Sequence, residues 1–169
     1  TEGMRHGYVV SSSLVTASIE KAVGQAEKLS GIRIRRAYIA IGGVTLRGSI
    51  APGVAIVSKA DGEVTILDVN KALEECEESI SLGNKKVIQV SPVAFRLDAK
   101  EVLGRPEGMH GNKLEARAMV VTVSNQHLDE LVGAIADAGI TPIDLIVSPL
   151  AASTICLKKK KKIVGSALV

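Results

Sequence analysis

Apolar and polar positions recur along this chain with two different periods, and the changes of period mark out its elements. From Val15 through Ile19, Ala22, Val23, Ala26 and Leu29 the apolar residues fall every three or four positions, the spacing of one helical face, and Gly31 stands where a C-cap glycine ends a helix. Ala37, Tyr38, Ile39, Ala40 and Ile41 then form an unbroken apolar, β-rich run of the kind buried on both faces of a sheet, closed by Gly42 and Gly43. A helix followed by a buried strand predicts an α/β layer.

The pattern then changes. Residues 45–49 and 53–58 are short strand-like runs separated by Pro52 and ended by the turn pair Asp61-Gly62, which predicts a hairpin. Asp68 stands as an N-cap before Val69, Leu73, Cys76 and Ile80, whose spacing makes a single apolar helical stripe. Residues 86–90 and 94–97 give a third extended segment, and after a loop at 104–111 a fourth runs over 114–123. Together these predict a small α+β unit of strand-helix-strand-strand order. Ser124 is a candidate cap for a further amphipathic helix carrying Leu128, Leu131, Val132, Ile135 and Ala138 and stopped by Gly139. The α/β pattern resumes there, with a strand at 142–147, Pro149 in a first helical turn, a short helix at 150–157 and the start of one more strand at 165–169.

Composition narrows the classes of function. Hydrophobic residues make up 46% of the chain, yet no apolar run approaches the roughly 18 residues of a membrane span. Residues 1–6 are polar with no signal-like apolar stretch behind them, so a cytoplasmic protein is expected. Cys76 and Cys156 each fall on an apolar helical face, where a small buried thiol is expected, and they lack metal-ligand spacing. Lys and Arg number 21 against 18 Asp and Glu, but five of them are Lys158, Lys159, Lys160, Lys161 and Lys162, so the remainder carries 16 against 18 and is slightly acidic. With Tyr8, Tyr38 and Phe95 as its only aromatic side chains, the chain lacks both the basic face and the stacking platforms of a nucleic-acid binder.

Candidate catalytic chemistry is sparse. His6, His110 and His127 are far apart, and none has a cysteine or carboxylate at ligand spacing, so no metal site is expected. Gly42-Gly43 lacks the adjacent Lys-Ser or Lys-Thr and the following helix of a phosphate loop. No residues assort into nucleophile, base and oxyanion roles, so no catalytic or cofactor-binding residue is assigned. The most distinctive polar feature is Glu74, Glu75, Glu77 and Glu78, crowded on the helix opposite its apolar stripe. Glu74 and Glu78 lie one turn apart, a repulsion of a few tenths of a kcal/mol that a basic partner would relieve.

A specific resemblance rests on the segment Arg105-Pro-Glu-Gly-Met-His-Gly-Asn-Lys-Leu-Glu115. Its Gly108, Met109, Gly111, Leu114 and Glu115 are similar to the loop-and-strand signature of FtsA, the actin-like cell-division family. Supporting matches are Ile19-Glu-Lys-Ala-Val23 with Ala26-Glu27, Ile41-Gly-Gly43, Asp68-Val69, Ala138-Gly139 and Val147-Ser-Pro-Leu-Ala-Ala-Ser153. The lysine run departs from the mixed acidic and basic turn usual in the family.

The resemblance implies an internal segment with the fold of a partial actin-like, ribonuclease H-like lobe: residues 1–46 its first part, 47–123 the inserted strand-helix-strand-strand subdomain, 124–158 the return to the lobe and 159–169 the start of a second lobe. It further implies a division scaffold at the inner face of the cell membrane. Its partners would be other copies of itself in a filament, division proteins with basic cytoplasmic tails, an FtsZ-type tubulin-like protein reached through regions beyond this chain, and the membrane only indirectly. ATP and magnesium are implied for the whole family protein, at phosphate turns beyond these residues, and no cofactor for this chain. The alternatives are an actin-like pilus or secretion assembly protein and, from another class, a small α/β enzyme.

Overall fold

Pairing between strands distant in sequence organises the chain. The computed structural model describes residues 2–158, 161, 162, 164 and 165. In chain order the elements are β1 (Met4–Arg5), β2 (Tyr8–Val9), α1 (Ser12–Ser30), β3 (Arg36–Ile41), β4 (Arg47–Ile56), α2 (Ile66–Glu78), β5 (Lys85–Leu97), β6 (Lys100–Val102), β7 (Lys113–Ser124), α3 (Asn125–Asp137), β8 (Thr141–Val147) and α4 (Ser148–Cys156). They form two units, one of Thr1–Leu46 with Ser124–Val169 and the other of Arg47–Val123.

In the first unit β3 and β8 pair in parallel, from Arg36 opposite Thr141 to Ile41 opposite Val147, so the chain that leaves the lobe after β3 rejoins the same sheet. Gly31 ends α1 in the left-handed conformation (φ 69°), its amide donating to the Glu27 carbonyl as the apolar period predicts. Helix α3 packs on α1, and the Thr16 hydroxyl donates to the Ala134 carbonyl across that contact at 3.2 Å. Three expectations change here. β3 is not buried on both faces: its exposure alternates and Tyr38 is 65% exposed, because β8 is its sheet partner among the described residues and its side chains point to opposite faces in turn. Cys156 is exposed rather than buried, being the last residue of a nine-residue helix. Ser124 precedes α3 but makes no side-chain cap bond. The strand expected at 165–169 lies almost wholly outside the described residues.

The second unit is a four-stranded sheet in the order β4-β7-β5-β6 with α2 packed on β4 and β5. The expected hairpin within 45–58 is instead one ten-residue strand, antiparallel to β7 from Arg47 opposite Thr122 to Ile56 opposite Lys113. Pro52 does not break it because β4 is a sheet edge, where a residue without an N–H is tolerated. Pro92 sits within β5 for a related reason, since β6 pairs only with Phe95–Leu97 and leaves the outer side of β5 open before it. The turn into β6 is Asp98-Ala99, with φ of 48° and 65°; an Asp-Ala pair carries no hairpin signal, and β6 was not expected from the sequence.

The core of this unit is built from small residues. Ala51 and Ala55 of β4 and Ala116 and Ala118 of β7 face Val69, Ala72 and Cys76 of α2, with Leu114, Val120, Phe95 and Leu97 filling the remainder. The helix begins one turn earlier than its apolar stripe suggests. Thr65 is the N-cap and Asp68 is the third helical residue, the two side chains each bonding the other's backbone in a capping box. Asp68 is the reciprocal partner rather than the cap because its carboxylate reaches back: it accepts from the Thr65 amide (2.8 Å), the Thr65 hydroxyl (2.6 Å) and, from the end of β4, the Ser58 amide (2.9 Å).

Candidate functional site

The acidic face of α2 becomes a groove when the helix packs. Val69, Ala72 and Cys76 go fully into the core, while Leu73 and Ile80, at the edge of the expected stripe, are only partly covered. Beside them Val90 of β5 and Leu82 of the following loop leave two adjoining depressions, of about 220 Å³ (Asn70, Leu73, Glu74, Glu77 and Val90) and about 420 Å³ (Glu74, Glu77, Glu78, Ile80 and Leu82). Glu74 and Glu77 border both and Glu78 the second, whereas Glu75 lines neither. The apolar floor was not foreseen as a site, although Leu73 and Ile80 at the stripe's margin are the signal that predicts it.

The electrostatics of the groove are unbalanced. Among the described residues none of the four glutamates is ion-paired, and the last turn of α2 holds acidic residues and no basic one. Negative charge at a helix C-terminus opposes the macrodipole, adding to the repulsion between Glu74 and Glu78. A cationic segment with apolar side chains answers both terms at once.

The signature loop, in contrast, is built into the scaffold. Gly108 adopts φ 84° and its amide donates to the Val64 carbonyl at 3.0 Å, the Val64 amide donates to Met109 at 2.8 Å, and Gly111 donates to Gly62 at 2.9 Å. Gly111 is not at positive φ; it is required by proximity, as a Cβ there would lie 2.6 Å from the Leu97 side chain. The amides of Asn112 and Lys113 donate to Asp98 at 2.9–3.1 Å, which ties the loop to the β5–β6 turn. Met109 is exposed, Leu114 is fully buried and Glu115 pairs with Lys113 at 2.6 Å. The signature thus closes the insert's core, and the loop brings none of its residues to the α2 groove.

The remaining candidates are dispersed. His6 and His110 are exposed. His127 is 2% exposed at the start of α3, its ring edge-on to Tyr8 at 5.2 Å with neither nitrogen hydrogen-bonded among the described residues. Gly43 has φ 115°, and a Cβ on Gly7 of the β1–β2 turn would lie 2.6 Å from its Cα, so the glycine pair permits two backbones to touch. No cluster of three metal-ligating side chains occurs among the described residues, and no described helix is long and apolar enough to cross a membrane.

A parallel β3–β8 layer with flanking helices, interrupted between those strands by an α+β insert, defines a partial actin-like lobe carrying a subdomain. The same fold appears in a solved structure titled PilM-PilN type IV pilus biogenesis complex, which matches 90% of this chain and 39% of that one with a TM-score of 0.58 at 15% sequence identity. Residues 44–122 match the family model described as the SHS2 domain inserted in FtsA. Over all 169 residues the chain is 30% identical to cell division protein FtsA of Bacillus subtilis and 27% identical to that of Pseudomonas aeruginosa, spanning 38% and 40% of their lengths. The chain is thus similar to cell division protein FtsA along its whole length, with the family's insert at residues 44–122.

Proposed function

We propose that this chain is an interaction module of a cell-division scaffold, and that its SHS2 insert recruits partners by binding basic, partly apolar segments in the groove beside α2. The observation that carries this reading is the coincidence of an apolar floor (Leu73, Val90, Ile80, Leu82) with an unpaired acidic rim (Glu74, Glu77, Glu78) on a subdomain with its own core. Similarity over the whole chain to proteins named as cell division proteins supports the division context. Within it the proposed setting is the inner face of the membrane at the division site, with neighbouring filament subunits and division-protein tails as partners.

Charge reversal tests the groove. Glu74→Lys together with Glu78→Lys leaves the fold intact, since both side chains are exposed, and should weaken binding of a lysine-rich peptide bearing two leucines at least tenfold at low salt. The difference should shrink at physiological salt, where the screening length falls to about 8 Å. Equal affinities for the two proteins in a fluorescence-anisotropy titration would remove the groove from the function.

The same reading makes this chain a binding module rather than an enzyme. Its one Gly-Gly pair is engaged with the β1–β2 turn and precedes no Lys-Ser or Lys-Thr. Calorimetry of the 169-residue chain should therefore show no magnesium-dependent ATP binding at micromolar concentrations; a saturable isotherm in that range refutes it.

A further inference from the structure

We infer that the groove takes its basic segment as an added β-strand, paired to the free edge of β5, rather than as a helix. This rests on the groove assignment above and fixes the conformation and side-chain spacing of the occupant. β5 runs over Lys85–Leu97, but β6 pairs only with Phe95–Leu97. On that side the backbone N–H and C=O groups of residues 85–93 have no strand partner among the described residues, and such a row is a template for another chain. The open row borders the groove. Val90 of β5 lines the smaller depression together with Leu73, Glu74 and Glu77, and only residues 79–84 join α2 to β5, so helix and strand run side by side with the acidic rim along the first half of the strand.

Spacing separates the two conformations. A strand added to β5 lies about 4.8 Å from it and satisfies the open row, with every second side chain turned toward α2 at intervals of about 7 Å. Glu74 and Glu78, one helical turn apart, stand at a rise of about 6 Å, close to that interval. A helix about 10 Å across meets the same charges but leaves the row unpaired. The charges also set a direction. Lys85 and Lys86 are exposed at the start of β5 and make no ion pair among the described residues, so the basic stretch stops short of them and a carboxylate beyond it is favoured. In an antiparallel strand that carboxylate is C-terminal to the basic residues. Pro92 has no N–H to offer, which confines the row of donors to residues 85–91 and the strands beyond them to other contacts.

The test is a fluorescence-anisotropy titration of the 169-residue chain at low salt with two peptides of one composition. Lys-Thr-Leu-Thr-Lys-Thr-Leu-Thr-Glu carries its lysines and leucines at the strand period, and Lys-Thr-Thr-Leu-Lys-Thr-Thr-Leu-Glu carries them at the helical one. The first should bind at least tenfold more tightly than the second, and should lose that advantage on the chain carrying Glu74→Lys and Glu78→Lys. N-methylation of the backbone amides that meet β5, one alternate set of residues in the peptide, should weaken binding at least tenfold, and methylation of the other set less than about threefold. Binding should also slow amide exchange at alternate residues between Lys86 and Ser91. Equal or tighter binding of the second peptide, no binding of either, or the same response to both methylated sets overturns the inference. Should the lysine-rich peptide of the charge-reversal test still bind through Glu74 and Glu78 in any of these cases, the groove reading stands and only the strand conformation falls; loss of that binding as well removes both.

Discussion

Gly53→Ala is expected to destabilise the insert by about 3 kcal/mol or more, with no repacking able to absorb it. A Cβ at that position would lie 2.1 Å from the Ala72 carbonyl oxygen, 2.6 Å from the Cys76 amide nitrogen and 2.8 Å from the Cys76 sulfur. Two of these three atoms are helix backbone, so relief requires moving α2 away from β4, which opens the core along Ala51, Ala55, Ala72 and Cys76. Gly48→Ala in the same strand is the control. The nearest atom to its Cβ is the Met119 sulfur at 2.9 Å, the far end of a flexible side chain, and a cost below about 1 kcal/mol follows. Amide exchange of β4 and β7 reports the insert separately from the other unit; similar protection in the two variants would mean that α2 does not lie as close to Gly53 as described.

Asp68 should produce the second largest effect and a pH dependence of definite sign. Burial alone would raise its pKa, but hydrogen bonds from Thr65 and Ser58 outweigh that and hold it at about 2, below its ordinary value of 3.8. A folded-state pKa below the unfolded one means that the ionised carboxylate stabilises the fold above pH 4, and that this contribution is lost as pH falls from about 4 to 2. The shift corresponds to about 2 kcal/mol. Asp68→Ala removes it and also orphans the Ser58 and Thr65 amides, costing about 2–4 kcal/mol at pH 7. Asp68→Asn keeps an acceptor, should cost less, and should flatten the pH profile in that window. Thermal unfolding at pH 7, 4 and 2.5 checks this. A wild-type insert whose stability is unchanged between pH 4 and 2.5 would show that the capping box carries no charge-dependent stabilisation.

These two positions also show how far local pattern reaches. Asp68 was legible as a helix-start residue because its type and its place before an apolar stripe are local facts, but its role as third residue depends on Thr65 and on the end of β4. Gly53 carries no local signal of its role; in the sequence it is the first residue of a strand-like run after Pro52, and its necessity comes from a helix packed over it.

What the sequence determined by itself is therefore whatever is written in short-range spacing: the period of α1 and its glycine cap, the amphipathic stripes of α2 and α3, the strands β7 and β8, the change from α/β to α+β and back, and the resemblance to FtsA read from the Gly108 to Glu115 segment. Tertiary structure decided what depends on a neighbour. It made one strand of 47–56 across Pro52, because β7 supplies a continuous partner and the other side of β4 is a free edge. It exposed Tyr38 and Cys156, whose apolar surroundings in sequence are not matched by covering elements among the described residues. It left Leu73 and Ile80 half covered beside Val90 and Leu82, turning an acidic helix face into a groove. Periodicity reports which side of an element is apolar, whereas burial and docking depend on how much of that side a second element reaches, a quantity set by pairs of residues far apart in the chain.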